Sequence, residues 1–145
     1  MQLTRYSEYS LRVLMYLALD PERLVTIDEI ARSYDISKAH LMKVVHHLGL
    51  RGDVMTVRGR GGGLRLARPP EQIRIGQVVR STEENLALAE CFEASGSQCA
   101  IEAACGLRSV LHEALGAFLG VLDRHTLADL VGRRRKRLTR LLEAS

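Results

Sequence analysis

Aromatic side chains make up only 4% of the 145 residues, cysteines number three, and no apolar run approaches the length of a membrane span. Each shortage excludes something. The apolar run at 13–19 is seven residues long and follows Glu8 and Arg12. A span needs about 20 apolar residues and a secretory leader has a different layout, so neither is expected and no membrane partner is implied. An odd number of cysteines does not make a disulfide framework, and a chain of this size can bury roughly 70% of its unfolded surface without covalent staples. The thiols therefore point to a reducing, cytoplasmic setting, where clustered cysteines more often bind metal. Catalytic signatures are also missing. The glycine cluster Gly59-Arg-Gly-Gly-Gly-Leu matches neither the dinucleotide pattern nor the P-loop. No nucleophile elbow and no helix with two histidines flanking a glutamate is present, so an enzyme is not expected.

What remains is one ordinary globular domain with a small appendage, 46% apolar and 26% charged, with no internal repeat. The net charge of +4 says little until the charges are placed along the chain. Residues 54–70 carry Arg58, Arg60, Arg65 and Arg68 with no acid, and six more bases lie in 133–140. Between them, 81–106 holds Glu83, Glu84, Glu90, Glu93 and Glu102 with no Lys or Arg, together with all three cysteines. A basic surface and an acidic, thiol-bearing segment are implied.

Apolar periodicity predicts a first helix after Ser7, through Leu11, Leu14, Leu17 and Ala18, ended by Asp20-Pro21. Thr26 and Glu29 have the spacing of a capping box, with Val25 and Ile30 as a hydrophobic staple, opening a short second helix that runs to about Tyr34. Ser37 is placed to cap a third helix, which Gly49 or Gly52 would end. Its apolar stripe is Leu41, Val44, Val45 and Leu48, with Lys38, His40, Lys43, His46 and His47 elsewhere on its surface. Two short helices around Asp35 and Ile36 have the size of a helix-turn-helix. Residues 54–66 then read as a hairpin around a glycine-rich turn, and a helix-turn-helix followed by a basic hairpin is a winged helix.

Beyond Pro69-Pro70 a short helix over 73–82 returns the chain to the body of the domain, and 84–104 loses periodicity. A broad apolar stripe follows: Leu107, Val110, Leu111, Ala114, Leu115, Phe118, Val121 and Leu122. One small core does not absorb it, which favours pairing with a second copy in an isologous dimer. Thr126 and Asp129 are placed to cap a last short helix over 127–131. The fold expected is mainly α with a small β-hairpin. It divides into a winged helix-turn-helix DNA-binding domain (1–82), a cysteine-rich loop (83–105), a dimerisation helix with a short closing helix (106–131) and a basic tail (132–145). The tail reads as a solvated, partly disordered terminus, with a nonspecific phosphate contact as its functional alternative.

In a winged helix the third helix enters the major groove of double-stranded DNA through its first turns. Thr26, Ser37, Lys38, His40 and Lys43 are thus candidate contacts to phosphates or base edges. Arg58 and Arg60, separated by Gly59 at the wing tip, are placed to enter a minor groove or clamp phosphates. The histidines taken singly fit a solvated face equally well. Cys91-x7-Cys99-x5-Cys105 is the sharpest chemical signal. Zinc usually takes cysteines in closely spaced pairs, absent here; an iron-sulfur cluster needs none. Reactive thiols and buried structural cysteines are the other readings, though Glu90, Glu93 and Glu102 would raise rather than lower a thiol pKa.

Four phrases carry a resemblance. The opening Met1-Gln-Leu-Thr-x-Tyr-Ser-Glu-Tyr, the wing Val57-Arg-Gly-Arg-Gly-Gly-Gly-Leu-Arg-Leu, the phrase Ile73-Arg-Ile-Gly-x-Val-Val-Arg and the closing Thr126-Leu-Ala-Asp-Leu-Val resemble NsrR-type nitric-oxide-sensing transcriptional repressors. These belong to a winged-helix iron-sulfur regulator family that also includes IscR. The resemblance implies a homodimer that binds operator DNA and holds one cluster per subunit, with nitric oxide as the signal. Cys91, Cys99 and Cys105 would be ligands. The fourth would be the carboxylate at the start of the first helix of the partner subunit, Glu8 in this chain, where such proteins commonly show Asp. A 4Fe-4S cluster is the preferred reading and 2Fe-2S with a different ligand set the alternative. Nitric oxide attack at the carboxylate-bound iron would then release Glu8, change the spacing of the recognition helices and free the operator. The competing function is a thiol-based or zinc-stabilised winged-helix regulator without an iron-sulfur sensor.

Overall fold

The structure, a computed structural model, describes residues 2–93 and 96–143. Met1, Ala94, Ser95, Ala144 and Ser145, which fall in the expected DNA-binding unit, cysteine loop and basic tail, lie outside the described residues. Among the described residues, seven α-helices and one hairpin follow in the order α1 (Arg5–Leu19), α2 (Ile27–Tyr34), α3 (Lys38–Leu50), β1 (Val54–Val57), β2 (Gly63–Leu66), α4 (Ile75–Thr82), α5 (Gly106–Arg124), α6 (Leu127–Val131) and α7 (Arg135–Glu143).

Helix α1 begins before Ser7. Thr4 caps it, its hydroxyl accepting from the Ser7 N–H at 3.2 Å. Ser7 lies inside the helix and fully buried, sharing a 2.7 Å hydroxyl hydrogen bond with Thr82 at the end of α4. In α2 the expected capping box is half made. Thr26 accepts from the Glu29 N–H, but the Glu29 carboxylate turns to Arg23 and to the Tyr16 hydroxyl instead. The Arg23 hydrogen bond holds the Glu29 carboxyl below its ordinary pKa. Asp35 ends α2 at φ 51°, a left-handed position that Asp tolerates. That turn swings the chain into α3. Ser37 stands at the N-cap of α3 without a side-chain hydrogen bond, and Gly52, with φ 73°, lies just beyond the helix end.

Strands β1 and β2 pair antiparallel, Val54 opposite Leu66 and Val57 opposite Gly63. Leu64 also exchanges backbone hydrogen bonds with Val25 in both directions, at 2.7 and 2.9 Å. This contact pins the wing to the head of α2, and it needs glycine. A Cβ at Gly63 would sit 2.8 Å from the Val25 carbonyl oxygen. The core runs through Leu14, Leu17, Ile30, Leu41 and Leu48, and on through Ile73, Val78, Val79, Leu127 and Val131. Helices α4 and α6 thus belong to the winged-helix body, whereas α5 between them buries none of its residues.

A buried carboxylate fastens the wing. Asp53, fully buried, accepts from Arg51 Nε at 2.8 Å and from Arg68 Nε at 2.9 Å, and its carbonyl accepts from the Ala67 N–H. Arg68 is therefore a structural brace rather than a free wing cation, and Arg65 sits with Nε 3.2 Å from Met55 Sδ. Removing one partner of a buried ion pair leaves the others poorly compensated. We expect Asp53→Ala to cost about 3 kcal/mol, the low end for buried pairs because both arginines reach solvent, and to lower the melting midpoint by roughly 10 °C. Thermal denaturation followed by circular dichroism checks this; a midpoint within a degree of wild type would show that the brace carries no stability.

Candidate functional site

The recognition surface is open. Thr26, Ser37, Lys38, His40 and Lys43 are all exposed, Ser37 to Lys43 over the first turns of the reading helix and Thr26 as the N-cap residue of α2. Lys38 pairs with Asp28 at 2.8 Å; both side chains are more than half exposed, so the pair holds the amine loosely. His40 rests 6.2 Å from Tyr9, ring to ring. His47 departs from the expected surface position. It is half-buried, edge-on to Tyr6 at 5.7 Å, and its Nε2 is buried without a hydrogen-bond partner among the described residues.

Arg58 and Arg60 stand exposed at the wing tip, with no ion pair among the described residues. The turn between them is set by glycine. Gly59 has φ 101°, and a Cβ at Gly62 would meet the Val57 carbonyl oxygen at 2.2 Å. These glycines form the turn itself, so the close approach to DNA expected of Gly59 is additional to a structural requirement.

The cysteine segment is folded back on itself by short local links. Cys91 lies in a 3-10 turn, Glu90–Phe92, and Cys105 is the N-cap residue of α5. The Glu90 carboxylate accepts from the Gln98 N–H at 2.7 Å, joining the flank of Cys91 to the flank of Cys99. The Glu102 N–H donates to the Cys99 carbonyl at 3.1 Å, and the Cys105 N–H to the Glu102 carbonyl at 3.3 Å. All three cysteines are free, Cys99 exposed and the others half-buried. Among the described residues no three His, Cys, Asp or Glu side chains gather closely enough to hold a metal ion. The donor chemistry nevertheless fits an iron-sulfur group: three unbridged thiols lie within fifteen residues, and one stands at the N-terminus of a 19-residue helix, whose dipole attracts an anionic group. Phe92 stacks on His112, and Glu102 pairs with Arg108 at 3.2 Å, so the segment is attached to the first half of α5.

Glu8 lies in the first turn of α1, half-buried, in an ion pair with Arg12 one turn on. An exposed pair of that kind is worth about 1 kcal/mol or less, so the carboxylate can exchange it for a stronger partner. No sequence pattern shows how Glu8's helix meets the cysteine segment. Glu83, the first residue of that segment, accepts from both the backbone N–H and the hydroxyl of Thr4, at 2.8 and 3.0 Å. Together with the buried Ser7–Thr82 bond, this clasps the start of α1 to the end of α4. The partners stand 79 residues apart in sequence. A cavity of about 610 Å³ beside the clasp is lined by Thr4, Tyr6, His47 and residues 82–85, and it borders the third helix.

Helix α5 is fastened to the winged-helix body at its far end. Arg80 grips Asp123 through two hydrogen bonds of 2.5 and 2.6 Å, which keep the Asp123 carboxyl below its ordinary pKa. Gly76 makes room, since a Cβ there would fall 2.0 Å from Asp123 Oδ1. Thr126 and Asp129 complete a full capping box for α6. Toward its N-terminus α5 stands away from the body, with Leu107 62% and Val110 61% exposed.

A helix-turn-helix with a basic, glycine-turned wing defines a winged-helix DNA-binding regulator, here extended by a projecting helix and a thiol loop. The chain belongs to the Rrf2 family: the family model, described as an iron-dependent transcriptional regulator, matches residues 3–133. It is 57% identical over 132 residues to the HTH-type transcriptional regulator NsrR of Geobacillus kaustophilus and 55% identical to that of Bacillus subtilis, covering 90% of each chain in both comparisons. Among solved structures it superposes on the IscR of T. potens with a TM-score of 0.73 at 26% identity, covering 90% of this chain and 86% of that one. The protein is thus a transcriptional regulator and not an enzyme. No helix among the described residues is long and apolar enough to cross a membrane.

Proposed function

We propose that this chain is a homodimeric, cytoplasmic repressor whose hold on operator DNA is set by an iron-sulfur cluster, 4Fe-4S, and released by nitric oxide. Three free thiols joined by short links and fastened to α5 are the observation that carries this reading. The similarity to proteins named NsrR supports it. Residues 1–82 would read DNA, 83–105 hold the group, and 106–131 pair the subunits through the exposed apolar face of α5. Cys91, Cys99 and Cys105 would bind it, with Glu8 of the partner subunit as the fourth ligand. Such a group supplies iron that takes up nitric oxide. The rest of the response belongs to the chain's own residues.

Glu8 sits one residue from the buried Ser7–Thr82 bond and four from Thr4, which Glu83 holds. A pull on Glu8 therefore acts on the end of α1 that the cysteine segment already grips. Tyr6, two residues before Glu8, donates its hydroxyl to the Lys43 carbonyl in the reading helix at 3.3 Å. Engaging or freeing Glu8 thus bears on the orientation of α3. Two recognition helices must stand about 34 Å apart, or a multiple of it, to reach successive major grooves, so a small rotation is enough to lose the operator. The test is iron and acid-labile sulfide on protein purified without oxygen. About four of each per chain is expected; about two would favour 2Fe-2S, and zinc or no metal would refute the sensor.

A further inference from the structure

The basic run expected to be a solvated tail is an ordered helix. Residues 132–134 make one 3-10 turn and α7 continues from Arg135 to Glu143. Its inner face is Leu138, Thr139 and Leu142, each partly covered by the body. Arg135 donates to the Ala18 carbonyl at 3.3 Å, at the end of α1, where a helix exposes unpaired carbonyls and favours a cation. Thr139, Leu142 and Glu143 share a cavity of about 490 Å³ with Tyr16, Arg23, Val25 and Glu29.

That location decides what the outer face meets. Val25 precedes Thr26, the cap of α2, and pairs with Leu64 in the wing. The far half of α7 therefore lies at the corner where α2 begins and the wing is rooted. In helix-turn-helix proteins the first helix of the motif crosses the DNA backbone, which puts phosphates beside this corner. Arg133, Arg134, Lys136, Arg137 and Arg140 are all exposed, with no ion pair among the described residues.

We propose that α7 is a second, sequence-independent DNA contact, its outer cations binding phosphates that flank the stretch read by α3 and the wing. The inference rests on the winged-helix DNA reading and is independent of the cluster. It gives the protein a longer footprint than the helix-turn-helix alone. Each cation that neutralises a phosphate steepens the fall of log K with log salt by about 0.9, so the helix matters most at low salt.

The test is the combined Lys136→Gln, Arg137→Gln, Arg140→Gln variant of the full chain, which keeps the inner face. Binding to an arbitrary-sequence duplex of about 40 base pairs, long enough to flank two half-sites, is measured across a salt series. The salt slope is expected to fall by about 2 to 3 per bound protomer. Keeping charge, with Arg137→Lys and Arg140→Lys, should restore the wild-type slope, and an unchanged melting midpoint confirms that the fold survives. An unchanged slope and affinity overturn the inference. So does a wild-type chain that sediments with phosphatidylglycerol vesicles through these residues while its DNA slope does not depend on them, since α7 would then be a membrane-facing segment. Measured beside it, Arg58→Ala with Arg60→Ala separates the two failures. If only the α7 variant binds normally, the second contact is wrong; if both do, the DNA reading itself is.

Discussion

Single replacement of Cys91, Cys99 or Cys105 by serine should cut iron and acid-labile sulfide from the roughly four per chain expected of the proposed cluster to well below one and abolish the proposed effect of nitric oxide on DNA binding. None of the three thiols lies in the core, which is formed by α1–α4, α6 and the wing. The fold should therefore persist, with stability changes of about 0.5 kcal/mol or less, as at other surface positions. That separation of a missing cofactor from an intact fold is the informative outcome. Glu8→Ala should act differently. It would remove the proposed fourth donor and also the ion pair with Arg12, so iron should bind but leave faster on exposure to a chelator. Anaerobic metal analysis with visible absorbance reads both. Variants that all retain wild-type iron and sulfide would refute the proposed ligand set.

Arg58→Ala combined with Arg60→Ala should weaken DNA binding at low salt by about 100-fold or more, at 1.4 kcal/mol per factor of ten. The effect is large because the proposed homodimer would present the pair twice and neither arginine is held in an ion pair within the described residues. Both side chains are exposed and the turn is set by Gly59, Gly61 and Gly62, so the wing should form without them. The salt slope should fall together with the affinity, by about 0.9 for each phosphate that the wing no longer neutralises. Equal affinity of the variant and wild type in a low-salt fluorescence anisotropy titration would remove the wing from the DNA interface.

Much of the winged helix was legible in the sequence because its signals are local. The Leu41, Val44, Val45 and Leu48 stripe, the Thr126–Asp129 box and the strand-glycine-strand pattern each depend on residues a few positions apart. Local signals misled where a side chain had a better distant partner. Glu29 leaves its capping box half-made for Arg23 and Tyr16, and α1 starts ahead of Ser7, which turns inward to Thr82. Arg68 counts as a wing cation by position but braces Asp53. The 133–140 run reads as a solvated terminus because its six bases outweigh its single leucine. Packing of Leu142 against the core and the Arg135 hydrogen bond to Ala18 supply the order that an isolated nine-residue helix lacks.

The reading head and the three thiols in one acidic stretch are set by consecutive residues, since helix period, turn glycine and residue type are all written along a single segment. The same holds for the excess of apolar surface on α5, which a small core does not absorb. How these parts connect is a property of the folded chain alone. Glu83 reaches Thr4, Tyr6 reaches Lys43, Arg80 grips Asp123 and Arg135 meets Ala18, all between residues far apart in the chain. Those meetings depend on the directions in which the core sets its helices. Each polar pair forms where packing has already brought its two elements together, and no pattern within a single segment encodes that.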